Sequence, residues 1–167
     1  TGTICDTYHP NADGYRHIAE RILEALPDAG FPYTDVSVDA DYFDAVEFMY
    51  RKGYMSGTSD TQFSPDSALT KAALAEVLYN IAGAPEVDAD IVSFDDVDSS
   101  SAYFNAAVWA TSNGILKADN GSFSPEDEIS AIKLAASLVR FSAVGSFNIA
   151  KVVKTIVMAF NIVKDCG

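Results

Sequence analysis

The chain has 167 residues, of which 49% are hydrophobic and 21% charged, enough to bury a core and too apolar for a disordered chain. Its 24 acidic residues against 11 Lys and Arg give a net charge of −13, which repels phosphate backbones and anionic lipid and excludes nucleic-acid binding. The most apolar segment, 147–163, is interrupted by Lys151 and Lys154, so no membrane span is predicted.

The chain opens on Thr1 with no charged-then-apolar leader, which reads as a processed or excised piece. Cys5 and Cys166 stand at opposite ends; a bridge between them would stabilise by about 4–5 kcal/mol through loop entropy, and two unrelated free thiols are the other reading. Neither has the close Cys or His neighbours of a zinc site, and no metal or cofactor is predicted. Residues 1–32 are assigned as a separate segment. Within it, Asp6-Thr-Tyr-His9-Pro10-Asn11 precedes a helix with Tyr15, Ile18, Ala19, Ile22, Leu23 and Leu26 on one face, closed by Pro27.

The middle of the chain is self-similar. Asp35, Val36, Tyr42, Phe43, Ala45 and Gly53 recur as Asp96, Val97, Tyr103, Phe104, Ala106 and Gly114; after a one-residue deletion, Phe63, Ser64, Pro65, Leu74, Ala75 and Leu78 recur as Phe123, Ser124, Pro125, Leu134, Ala135 and Leu138. The copies are placed at 33–84 and 94–145. In the first, Tyr42, Ala45, Val46, Met49 and Tyr50 are spaced as one helical face, with Asp39 or Asp41 as N-cap and Gly53 as a left-handed stop. A second helix begins at a capping Thr70, carries Leu74, Val77, Leu78 and Ile81 inward, and ends at Gly83; Ser130, Leu134, Leu138, Phe141 and Gly145 repeat this scheme. Phe63-Ser-Pro and Phe123-Ser-Pro fill the gap between helices, and the proline fixes φ for the turn. Trp109, Tyr42 and Tyr103 have flat faces suited to sugar rings, but helical aromatics of this spacing read as core.

An acidic linker, 85–93, separates the copies. Asp88, Asp90, Asp95, Asp96 and Asp98 crowd within eleven residues across it and the start of the second copy, yet no calcium-loop pattern exists, and helix capping and solubility account for them. In the tail, 146–167, Ile149, Val152, Val153, Ile156, Phe160 and Val163 form a wide helical stripe, expected to cap the copies or, undocked, to drive self-association into a homo-oligomer. The predicted fold is all-α: tandem helix-loop-helix repeats with an N-terminal remnant helix and a C-terminal capping helix.

The ordered set of Asp-Val, aromatic pair, Lys-Gly or Asn-Gly, Phe-Ser-Pro-(Asp/Glu) and Leu-Ala-x-x-Leu resembles the S-layer homology domain. That resemblance implies two-helix modules, usually three in tandem, that hold exported proteins on the bacterial cell wall by binding secondary cell-wall polysaccharide in grooves between modules. It places glycan contacts at Asp35, Gly53, Thr70, Lys71, Asp96, Gly114 and Ser130. The family's Thr-Arg-Ala-Glu signature is degraded: the first copy reads Thr70-Lys71-Ala72-Ala73 and the second Ser130-Ala131-Ile132-Lys133, without a cation at the arginine position. Lys71 therefore has two readings, an anion contact or a first-turn lysine on a solvated face.

The Asp6-x-x-His9-Pro10-Asn11 block resembles the last motif of SGNH (GDSL-type) hydrolases, which implies that Asp6 and His9 are remnants of a serine triad. The chain contains no Gly-Asp-Ser turn, so it is expected to be non-catalytic. The combined expectation is an extracellular anchoring module at the tail of an exported esterase, with cell-wall polysaccharide as partner. A protein-interaction or oligomerisation module without glycan binding is the alternative.

Overall fold

The structure is a computed structural model and describes residues 30–145 together with 156 and 157. The chain divides into two units, Thr1–Pro32 and Tyr33–Gly167; Asp6, His9 and both cysteines lie outside the described residues. The second unit contains α1 (Phe43–Arg51), α2 (Lys71–Ile81), α3 (Phe104–Ser112) and α4 (Ala131–Val144). Among the described residues there is no strand, only two isolated bridges, Thr70 with Glu128 and Asp119 with Ser122. No described helix is long and apolar enough to cross a membrane.

The same local bonds recur in both halves. Before the first helix of each, a side chain steadies a turn: Ser37 Oγ accepts from the Asp39 N–H and Asp98 Oδ1 from the Ser100 N–H. The following turn hands Phe43 N–H to the Ala40 carbonyl and Phe104 N–H to the Ser101 carbonyl. The cap position then falls on Tyr42 and Tyr103, with no side-chain cap bond, which corrects the expectation of Asp39 or Asp41. The winding turn takes the Phe43 N–H, and the Tyr42 carbonyl takes those of Ala45 and Val46, so the first turn closes on backbone carbonyls rather than on a capping carboxylate.

Gly53 (φ 65°) and Gly114 (φ 68°) end these helices in the left-handed region, as expected, with Tyr54 and Ile115 N–H returning to the Met49 and Ala110 carbonyls. Gly145 differs. It leaves α4 with φ −161°, an extended backbone rather than the left-handed stop adopted by Gly83 (φ 87°).

Thr70 and Ser130 cap α2 and α4 through the N–H groups of Ala73 and Lys133. α1 buries Phe43, Ala45, Val46 and Met49, while Tyr42 and Tyr50 are half-buried. α2 packs against α3. Five consecutive residues of α3, 106–110, are buried, so only a narrow edge at Asn105 and Ser112 faces solvent. Trp109 is core: its ring meets Tyr79 of α2 at 5.7 Å and Phe141 of α4 at 6.2 Å. Tyr42 and Tyr103 are half-buried, Tyr103 against this core. From the tail, helical Ile156 is fully buried in the same cluster, with Val157 packed against it; the other residues of the predicted stripe lie outside the described residues.

One position has no equivalent in the repeat pattern. The Gly57 N–H donates to Tyr33 Oη at 2.6 Å, and a β-carbon at Gly57 would overlap the Gln62 carbonyl oxygen and the Tyr33 ring. Backbone cannot yield as a flexible side chain does. Gly57→Ala is expected to destabilise by about 2–3 kcal/mol through overpacking, whereas Gly57→Ala accompanied by Tyr33→Leu should recover part of the loss. Urea denaturation of the two variants checks this.

Candidate functional site

Each Phe-Ser-Pro turn is held by the aspartate of the Asp-Val pair. Asp35 accepts from the Phe63 and Ser64 N–H groups at 2.9 and 2.7 Å; Asp96 accepts from those of Phe123 and Ser124 at 2.7 and 2.6 Å, and from Ser122 Oγ at 2.6 Å. Both central serines sit in the left-handed region, Ser64 at φ 60° and Ser124 at φ 56°. A non-glycine residue is rarely stable there, and the paired N–H bonds to one carboxylate hold it in place. The Ser122 hydroxyl and the two backbone N–H groups hold the Asp96 carboxyl below the usual range despite some burial. Burial raises Asp35, but the N–H groups of Phe63 and Ser64 outweigh it and the net shift is downward.

These turns present two buried rings. Phe63 packs on Tyr33 at 5.5 Å and Phe123 on Phe94 at 5.3 Å. The second turn then meets the start of α2. Thr70 bridges Glu128, Ile129 N–H donates to the Leu69 carbonyl, and the first-turn N–H groups of Lys71 and Ala72 donate to the Asp127 and Pro125 carbonyls, all at 2.8–2.9 Å where a bond is formed. The unpaired N–H groups at the start of one copy's helix are thus satisfied by the loop of the other.

That junction fixes Lys71. Its Nζ donates to the Lys117 carbonyl at 2.5 Å and stands 4.7 Å from the centroid of the Phe123 ring. Burial lowers its pKa, opposed by Asp119 and Asp127 and reinforced by Lys133. A partly desolvated cation of this kind gains from an incoming anion, which restores the charge compensation that water no longer provides.

Lys71 lies on the wall of a groove of about 330 Å3, with Lys117, Lys133 and Arg140 as further cations, Asp119 and Asp127 as acids, and Leu116 and Ile132 among its apolar lining. Among the seven residues singled out from the sequence, Lys71 lines this groove. Asp35 and Asp96 hold the turns, Gly53 and Gly114 end helices, and Thr70 and Ser130 cap them; Asp96 is close enough to favour the charged form of Lys71. The other three cations were not identified by motif reading. Their signal was the scarcity of cations in a chain with only 11 Lys and Arg, four of which converge here.

Among the described residues no group of three or more His, Cys, Asp and Glu side chains is placed to hold a metal ion. Asp88 and Asp98 of the acidic stretch instead accept from nearby backbone N–H groups.

Residues 32–75 and 93–130 match the family model of the S-layer homology domain. The chain is similar to the surface-layer 125 kDa protein of Lysinibacillus sphaericus, 33% identical over 99 residues, covering 57% of this chain and 8% of that protein. It is also similar to the S-layer protein of Bacillus thuringiensis subsp. finitimus and to S-layer protein sap of Bacillus anthracis, each 27% identical over 120 residues, covering 71% of this chain and 14% of those proteins. The chain therefore spans only a small part of the length of the curated relatives it matches. These matches indicate a location at the bacterial cell surface or cell wall.

Proposed function

We infer, from the two S-layer homology repeats that this chain carries, that it is a non-catalytic surface-anchoring module whose ligand is an acidic cell-wall polysaccharide. The single observation that supports the glycan is the groove at the junction of the copies, where four cations gather in a chain of net charge −13. Lys71 is the contact with the strongest case, because its ammonium is held in position by the Lys117 carbonyl and the Phe123 ring before any ligand arrives. The acids Asp119 and Asp127 beside it suit sugar hydroxyls as hydrogen-bond acceptors.

Co-sedimentation with purified wall sacculi tests this. Lys71→Ala is expected to weaken binding about tenfold, the loss of one charge-assisted contact, and Lys71→Arg to retain most of it. Because Lys71 also ties the copies together, thermal melts of both variants accompany the assay. Equal pelleting of folded Lys71→Ala and the parent chain would rule out the assigned contact.

A second reading rests on α4, where Ile132 and Val139, two turns apart on one face, are exposed. This supports an interaction or oligomerisation module, which predicts a mass that rises with concentration and falls on Ile132→Glu. The Asp6 to Tyr15 motif supports descent from an SGNH-type esterase; a Gly-Asp-Ser turn encoded upstream of Thr1 is the feature that reading requires.

A further inference from the structure

The caps Thr70 and Ser130 align α2 and α4 residue by residue, so that Ala72, Ala73, Glu76, Val77 and Asn80 correspond to Ile132, Lys133, Ala136, Ser137 and Arg140. In the first copy this stripe is largely covered: Ala72 and Val77 are 6% and 2% exposed, and α2 packs on α3. In the second, Ser137 is as buried as Val77 at 2% exposed, but the stripe borders the groove and Ile132 is 83% exposed. The chemistry differs in the same direction. The first stripe carries one carboxylate and no cation; the second carries two cations and no carboxylate.

Arg140 makes the difference explicit. Asn80 Nδ2 donates to the Tyr54 carbonyl, and Arg140 Nη1 reaches the corresponding Ile115 carbonyl at 3.4 Å. The structural bond is preserved and a positive charge is added, which packing alone does not require. Neither Lys133 nor Arg140 forms an ion pair among the described residues.

These cations stand seven positions apart, about 10.5 Å along a helix, roughly the length of a disaccharide in an extended glycan. Between them Ala136 and Ser137 keep the floor low. We propose that α4 reads a glycan bearing one negative charge per disaccharide, its charges at Lys133 and Arg140 and an uncharged sugar over Ala136 and Ser137. This rests on the glycan reading above and adds the charge spacing of the ligand.

The test is calorimetric titration of the full chain with length-matched hyaluronan oligosaccharides (a carboxylate on alternate sugars), oligogalacturonate (a carboxylate on every sugar) and dextran oligomers (none). Hyaluronan is expected to bind several-fold more tightly than oligogalacturonate, and dextran not to bind. Lys133→Gln and Arg140→Asn, the second restoring the first copy's residue, should each weaken hyaluronan binding about tenfold and remove the preference. Binding that simply follows charge density, hyaluronan affinity unchanged in both variants, or no hyaluronan binding at all overturns the proposal. Wall sacculi separate the two levels: pelleting that persists without a spacing preference leaves anchoring standing and removes only the charge spacing. Failure to pellet with sacculi that retain their polysaccharide removes the glycan reading itself.

Discussion

Phe123→Ala is expected to remove about 3–5 kcal/mol of stability, lowering Tm by on the order of 10–20 °C, and to abolish preferential binding in the groove. The ring is fully buried, packs on Phe94 at 5.3 Å and lies beneath the Lys71 ammonium at 4.7 Å. Truncation leaves a cavity that the turn cannot collapse to fill, since its backbone is tied to Asp96. Phe63→Ala is the matched control. That ring is nearly as buried and packs on Tyr33, so a comparable loss of stability is expected, but among the described residues no lysine of the other copy stands over it and the groove should survive. Urea denaturation and sacculus binding of the two variants measure both effects. Equal binding loss in Phe63→Ala would show that general destabilisation, rather than the seat of Lys71, governs the groove.

Asp96→Ala is expected to destabilise by about 2–3 kcal/mol, allowing for solvent around the carboxylate. It removes the acceptor for two N–H groups and one hydroxyl, and leaves Ser124 in the left-handed region without support. Asp96→Asn keeps one acceptor oxygen and should lose about half as much.

The same carboxylates set the acid limit. Asp96 is lowered chiefly by the Ser122 hydroxyl, Asp35 by N–H bonds that outweigh its burial, and Asp98 by the Ser100 hydroxyl. A group whose folded pKa lies below its unfolded value, about 3.9 for Asp, contributes stability that is present above that value and lost as pH falls through the folded one. Stability should therefore hold from neutrality to about pH 5 and decline below about pH 4, with a shallower decline in Asp96→Asn. Thermal melts across this range check the sign; an unchanged acid limb in Asp96→Asn would assign acid unfolding to other groups.

Much of the fold was legible because its determinants are local. Gly53 and Gly114 announce a left-handed stop, and Thr70 and Ser130 a helix start, through bonds that reach only a few residues. Asp39 and Asp41 were legible as caps but are not used, because the turn anchored at Ser37 winds directly into the helix. Analogy with Gly83 predicts a left-handed stop at Gly145, but glycine permits either backbone, so residue type does not encode the extended conformation found there.

By itself the sequence determined the duplication, the caps, the buried phenylalanine of each turn and the family resemblance, all carried by residue identity at fixed spacing. The Asp-Val aspartates looked like candidate contacts, and only the structure revealed that their oxygens are committed to backbone N–H groups near 28 residues away. Tertiary packing alone decided the groove. Lys71, Lys117, Lys133 and Arg140 follow no common motif, and they converge because the start of α2 is satisfied by the carbonyls of the second copy's turn while α2 packs on α3. Such convergence follows from burying apolar faces and pairing helix-end N–H groups across the two copies, which no local spacing encodes.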